Sequence, residues 1–158
     1  LAAYSRSSLM YYYLREYLGH DRFIKALHHY MNLWKQKHPT PYDFVHCIES
    51  ASGEELGWYW NPWMREFTHA DLKIEKAESK GTECTVVVKK TGGLPVPVVL
   101  TVTCKDGSES TVRHSAGVWK EKDTFTVTLP IKSDAVSVKL GSMQIPDTNP
   151  SDNAYSLQ

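Results

Sequence analysis

The feature that most constrains this chain is a change of grammar near residue 70. Before that point apolar residues recur at helical spacing; after it they alternate. A helix groups side chains at a period of 3.6 and a strand at a period of 2, so the two stretches bury different faces of the backbone and belong to different elements. The 158 residues therefore read as two parts, helical over residues 1–69 and β over residues 70–158.

The helical part divides into four segments. The first spans residues 5–18, and Gly19 is suited to a left-handed helix end. The second carries Phe23, Ile24, Leu27, Tyr30, Met31 and Trp34 as one broad stripe, with Asp21 as its expected cap and Pro39 beyond its end. The third has the clearest start: Thr40 at the N-cap, Pro41 at the first helical position and Asp43 three residues on. Phe44, Val45, Ile48 and Ala51 then face inward. Ser52-Gly53-Glu54-Glu55 repeats the cap signal, with Ser52 as the expected cap of a fourth helix carrying Leu56, Tyr59, Trp60 and Trp63 and interrupted at Pro62. Short connections between four helices give an antiparallel array.

Strands are expected at residues 72–77, 84–90, 98–105, 109–114, 124–129 and 136–140. Thr85-Val86-Val87-Val88 and Phe125-Thr126-Val127-Thr128-Leu129 have the β-branched and aromatic content of half-buried strands. Turn signals separate the segments at Lys80-Gly81, Gly92-Gly93, Asp106-Gly107 and Ser133-Asp134, and Asp106-Gly107 is the strongest hairpin signal. Six strands at this spacing read as an antiparallel β-sandwich.

Charge excludes some partners. Eighteen Lys and Arg balance eighteen Asp and Glu, so no net field favours nucleic acid or an anionic surface. No apolar run reaches the roughly 18 residues of a membrane span. The three cysteines, Cys47, Cys84 and Cys104, cannot all pair. A Cys84–Cys104 bridge and buried free thiols both remain open, the second being preferred.

Chemistry-bearing motifs are sparse. His28 and His29 project about 100° apart on a helix and do not face one ion, and the seven histidines and three cysteines show neither HExxH nor C-x-x-C spacing. There is no G-x-S-x-G elbow and no Gly-rich phosphate loop; Gly92-Gly93 precedes Leu94-Pro95 rather than a helix. Asp147-Thr148-Asn149-Pro150-Ser151-Asp152-Asn153 has oxygens of the kind calcium takes, without the turn glycine or closing Glu of an EF-hand loop, and reads as a turn-rich tail. Tyr11-Tyr12-Tyr13 cannot share one helix face. Trp58, Tyr59, Trp60 and Trp63 form a dense patch, read as packing between helices or as a contact with further parts of the protein.

One ordered series carries more. Tyr4-Ser5-Arg6-Ser7 opens a helix, Leu18-Gly19 ends it, and Phe23-Ile24-Lys25-Ala26-Leu27 follows. Asp43-Phe44, Ser52-Gly53-Glu54-Glu55-Leu56 and Trp63 complete the series. In this order the segments resemble the aminopeptidase N family of gluzincin metallopeptidases over residues 4–67, and the strand at 136–140 with its Asp- and Asn-rich tail resembles the end of the family's small β-domain. Departures are local. Arg6 and Ser7 stand where the family's Tyr-x-Lys-Gly has Lys and Gly, and Glu66-Phe67-Thr68-His69-Ala70 replaces a Gly-Tyr-Pro-like segment.

The resemblance implies an α+β chain: a helical subdomain from the C-terminal half of a thermolysin-like catalytic domain, then an all-β sandwich. It implies zinc in the parent enzyme, with the ligands and general base upstream of this chain, none bound by this chain, and peptides as substrate. Tyr4 matches the tyrosine that donates a hydrogen bond to the developing oxyanion. The resemblance leaves the compartment open and leans toward an extracytoplasmic (periplasmic or secreted) bacterial parent. The alternative is a non-catalytic scaffold or interaction module derived from the same family.

Overall fold

A computed structural model describes residues 2–157; the outer ends of the two expected domains, Leu1 and Gln158, lie outside the described residues. Contacts divide the chain into two units, Leu1–Glu66 and Phe67–Gln158. Residues 67–69, counted with the helices from the sequence, thus fall with the β unit.

The first unit contains α1 (Ala2–Leu18), α2 (His20–Trp34), α3 (Pro41–Ser52) and the single turn α4 (Gly57–Trp60). α3 begins as its sequence dictates. The Thr40 hydroxyl accepts from the Asp43 amide at 3.3 Å, and the Asp43 carboxylate accepts from the Thr40 amide at 2.8 Å, so two orphan donors are satisfied reciprocally.

Two expected caps are corrected. Asp21 lies inside the first turn of α2, whose N-cap is Gly19. Ser52 is the last residue of α3 rather than the cap of the next helix, and its hydroxyl donates to the Glu49 carbonyl at 3.3 Å. Gly53 ends α3 at φ 71°, ψ 21°, a left-handed position that a Cβ disfavours. The chain re-enters helix only after Leu56, whose amide donates to the Glu49 carboxylate at 2.9 Å. Pro62 does interrupt the helical run. Beyond Trp60 the backbone widens into a π-helical turn, Asn61–Arg65, closed by a bond from the Glu66 amide to the Asn61 carbonyl at 3.2 Å.

Aromatic rings fill the core of this unit. Tyr13 and Tyr59 are fully buried, and Trp60 and Trp63 nearly so. Tyr13 lies 6.0 Å from Trp63, and Tyr59 lies 5.7 Å from Trp60, within the range of favourable tilted and edge contacts. Tyr59 donates to the Met10 carbonyl at 2.5 Å. As the helix period requires, Tyr13 is buried while Tyr11 and Tyr12 are exposed. The stripe on α2 is covered only in part: Phe23 is buried, but Met31 is 57% exposed.

The second unit holds two antiparallel sheets with strand orders β1-β2-β5 and β4-β3-β6-β7. The strands are β1 (Leu72–Lys80), β2 (Glu83–Lys90), β3 (Val98–Cys104), β4 (Glu109–His114), β5 (Thr124–Pro130), β6 (Ala135–Leu140) and β7 (Ala154–Ser156). The short β7, pairing Tyr155 with Val138, was not expected from the sequence. Alternation decides burial here. Cys84, Val86 and Val88 of β2 and Leu100, Val102 and Cys104 of β3 are all at most 2% exposed. Asp106-Gly107 does turn a hairpin, bringing Thr103 opposite Glu109.

Gly92-Gly93 serves close approach. The Gly93 amide donates to the Thr68 hydroxyl at 3.0 Å, and a Cβ on Gly93 would stand 2.1 Å from that same oxygen. Cys47, Cys84 and Cys104 are buried free thiols, in line with the preferred sequence reading. Among the described residues no helix is long and apolar enough to cross a membrane.

Candidate functional site

Tyr4 lies in the first turns of α1, with 83% of its surface exposed. Two positions on, about 200° around the helix, Arg6 turns to the opposite side and is engaged with its own unit. Its guanidinium donates to the carbonyls of Pro62 at 2.8 Å, Trp63 at 3.2 Å and Glu66 at 3.3 Å, and it stacks over the Trp63 ring at 5.6 Å. These carbonyls belong to the π-helical turn and its end, where backbone acceptors lack intrahelical partners. A planar fork of donors can meet several of them while stacking on an indole; a lysine ammonium cannot do both. Arg6, a departure from the resembled motif, thus ties the start of α1 to the turn after Pro62 and fixes the frame on which Tyr4 is displayed.

The sequence did not disclose that role. The partners of Arg6 lie 56 to 60 positions away, and no local spacing encodes such a contact. The presence of Arg at the family's Lys position was the one available signal.

A cleft of about 420 Å³ opens in the same unit, with Tyr42, His46, Glu49, Trp60 and Arg65 among its walls. The Arg65 guanidinium sits 4.9 Å from the Tyr42 ring centroid. Tyr4 does not line this cleft.

The remaining candidates separate. His20, His28, His29, His38, His46 and His69 are exposed, and His114 packs edge-on against Phe125 at 5.0 Å. Asp71, Asp147 and Asp152 bring carboxylate oxygens within 4.8 Å of one another, the one such grouping among the described residues. An all-carboxylate set suits a hard cation rather than zinc, which takes imidazole and thiolate. Asp147 has structural work, accepting from the Leu72 amide at 3.1 Å and the Asn149 amide at 2.9 Å and fastening the tail to the start of β1, while Asp71 Oδ1 and Asp152 Oδ1 are buried without a hydrogen-bond partner. The described residues of this chain do not fit a zinc centre.

Comparison with known proteins places these features. The model of the "Peptidase family M1 domain" matches residues 1–63. Among curated proteins none matches the chain. A solved structure that does match is the crystal structure of Legionella pneumophila aminopeptidase A in complex with aspartic acid. The TM-score is 0.67 at 19% identity, over 88% of this chain and 16% of that one. At that identity the likeness is one of fold, a helical part followed by a β-sandwich, and this chain spans a small share of the matched protein's length.

Proposed function

We propose that the chain, whose residues 1–63 match the peptidase family M1 domain, is the C-terminal fragment of a zinc-dependent aminopeptidase acting on the N-terminal residues of peptides. The single observation that carries this reading is the segment around Tyr4. The matched region opens on it, and its phenol is turned outward on a helix anchored by Arg6. In this reading the zinc ligands and general base lie upstream of Leu1. The metal would polarise the scissile carbonyl when bound, and the described residues bring together no imidazole or thiolate set of the kind zinc takes.

What the chain supplies is the phenol. Attack on a peptide carbonyl turns its oxygen from a weak acceptor into an oxyanion, and a hydroxyl placed beside it gains strength as that charge develops. Such a donor stabilises the transition state more than the bound substrate, so it raises turnover rather than affinity. It needs a fixed helix and an unobstructed hydroxyl, which α1 and the Arg6 anchor provide.

In the full-length enzyme, Tyr4→Phe is expected to lower kcat about 10²- to 10³-fold with little change in KM. Unchanged turnover would remove Tyr4 from the mechanism. This chain alone is expected neither to hydrolyse an aminoacyl amide nor to bind stoichiometric zinc. Either result in the isolated fragment would overturn the division of labour proposed here. The alternative reading, a non-catalytic interaction module, predicts an upstream frame lacking HExxH and the third-ligand Glu.

A further inference from the structure

Two buried thiols of the sandwich stand at the same end of its two facing sheets. Cys84 is the second residue of β2 and Cys104 the last of β3; their exposures are 0% and 2%. Cys84 pairs with Ser79 of β1 in one sheet, and Cys104 pairs with Ala135 of β6 in the other. Between those two neighbours the sheets are tied directly: the Ala135 amide donates to the Ser79 hydroxyl at 3.2 Å.

Facing sheets ordinarily stand about 10 Å apart. An amide that reaches a serine hydroxyl on the opposite sheet requires Cα atoms within about 7 Å, so the sandwich narrows at this edge. Each cysteine lies one strand inward from that contact. The β3–β6 register also shifts between Thr103 and Cys104, the kind of irregularity that bends a strand end. Burial pushes the Cys84 pKa up, and the charge of Cys104 raises it further.

We propose that Cys84 and Cys104 form a latent inter-sheet disulfide site, closed by exchange with a small-molecule disulfide of the oxidised glutathione class. One protein thiolate attacks a sulfur of the small disulfide and releases one thiol, leaving a mixed disulfide. The second protein thiolate attacks the protein sulfur of that adduct and releases the other small thiol. Two protein thiols become one disulfide, the small disulfide becomes two thiols, and both protons end on the released thiols. Because both sulfurs are buried, closure follows folding or transient opening of the β3 end rather than simple surface attack.

The test is refolding of the full chain from urea in a mixture of reduced and oxidised glutathione, followed by peptide mapping and thermal melting. The expected product has lost two hydrogens, carries one cross-linked peptide joining Cys84 to Cys104, and melts on the order of 10 °C higher than the reduced chain. Cys84→Ser and Cys104→Ser each abolish the cross-link, and Cys47→Ser leaves it intact. Recovery of three free thiols would overturn the proposal. So would stable glutathione adducts on Cys84 or Cys104, a bridge through Cys47, or a cross-linked chain that melts lower than the reduced one.

Discussion

The helical unit and the β unit bury their apolar residues by different rules, and the contrast shows where pattern alone suffices. In the β unit alternation is almost a burial map. Val86, Val88, Leu100 and Leu129 are fully buried, because the two sheets of the unit close on each other and each inward side chain meets another. In the helical unit the period predicts which residues share a face but not whether the chain covers that face. Phe23 and Ile48 are buried, whereas Met31 at 57% and Leu33 at 46% exposure stay in solvent. An apolar helix stripe states a demand for a partner; it does not guarantee that one lies within the same 66 residues.

The contrast can be broken at its strongest point. Leu100→Ala, in the closed sandwich, is expected to destabilise the β unit by about 2–5 kcal/mol, read as a lower urea midpoint. A loss below about 1 kcal/mol would mean that the interior is looser than its burial implies.

Next in size is the aromatic core of the helices. Tyr59→Phe removes the phenol's bond to the Met10 carbonyl, at an expected cost of up to about 1.5 kcal/mol. The same residue sets a pH dependence. Burial, with Tyr13 as a lesser cause, pushes the Tyr59 phenol far above its ordinary value. Its stabilisation is therefore complete below the unfolded tyrosine pKa near 10 and is lost as pH climbs from there toward the folded value, where the unfolded chain releases a proton that the folded one keeps. Helical circular dichroism is expected to fall with rising pH above about 10 in the wild type, and less steeply in Tyr59→Phe. Identical profiles would remove Tyr59 as the source.

Smaller again is the cap of α3. Thr40→Ala is expected to cost about 1 kcal/mol, since it removes one arm of the capping box, and Thr40→Ser is expected to restore most of it. The smallest effect sharpens the comparison. Met31→Ala is expected to stay within about 0.5 kcal/mol in this chain, despite occupying the same stripe as Phe23. A larger loss would show that Met31 is covered in solution.

Much of this was legible before any coordinates. The boundary between grammars, the capping box at Thr40 and Asp43, the Asp106-Gly107 hairpin and six of the strands all rest on interactions within a few residues, or on a period that local sterics enforce. What failed also failed for a physical reason. Ser52 carries a cap signature, but Gly53 in the left-handed region ends α3 there, and the donor near the next helix start is satisfied by Glu49 instead. β7 is three residues long, too short for alternation to register. Gly92-Gly93 looked like a turn, and its actual constraint is the approach of Thr68 and His69.

For the candidate site the division is sharper. Residue order alone singled out Tyr4 and the helices that follow it, because a family pattern is carried by residue types at fixed spacing. Only the tertiary structure decided that Tyr4 is displayed while Arg6, two positions away, is spent on the carbonyls of Pro62, Trp63 and Glu66. Only it brought Cys84 and Cys104 to one edge of the sandwich. Local sequence fixes periods, caps and turns because their energies are settled within a few residues. Which distant acceptor a guanidinium finds, and which strand ends come together, depends on how closed elements pack, and that is written in no single stretch of the chain.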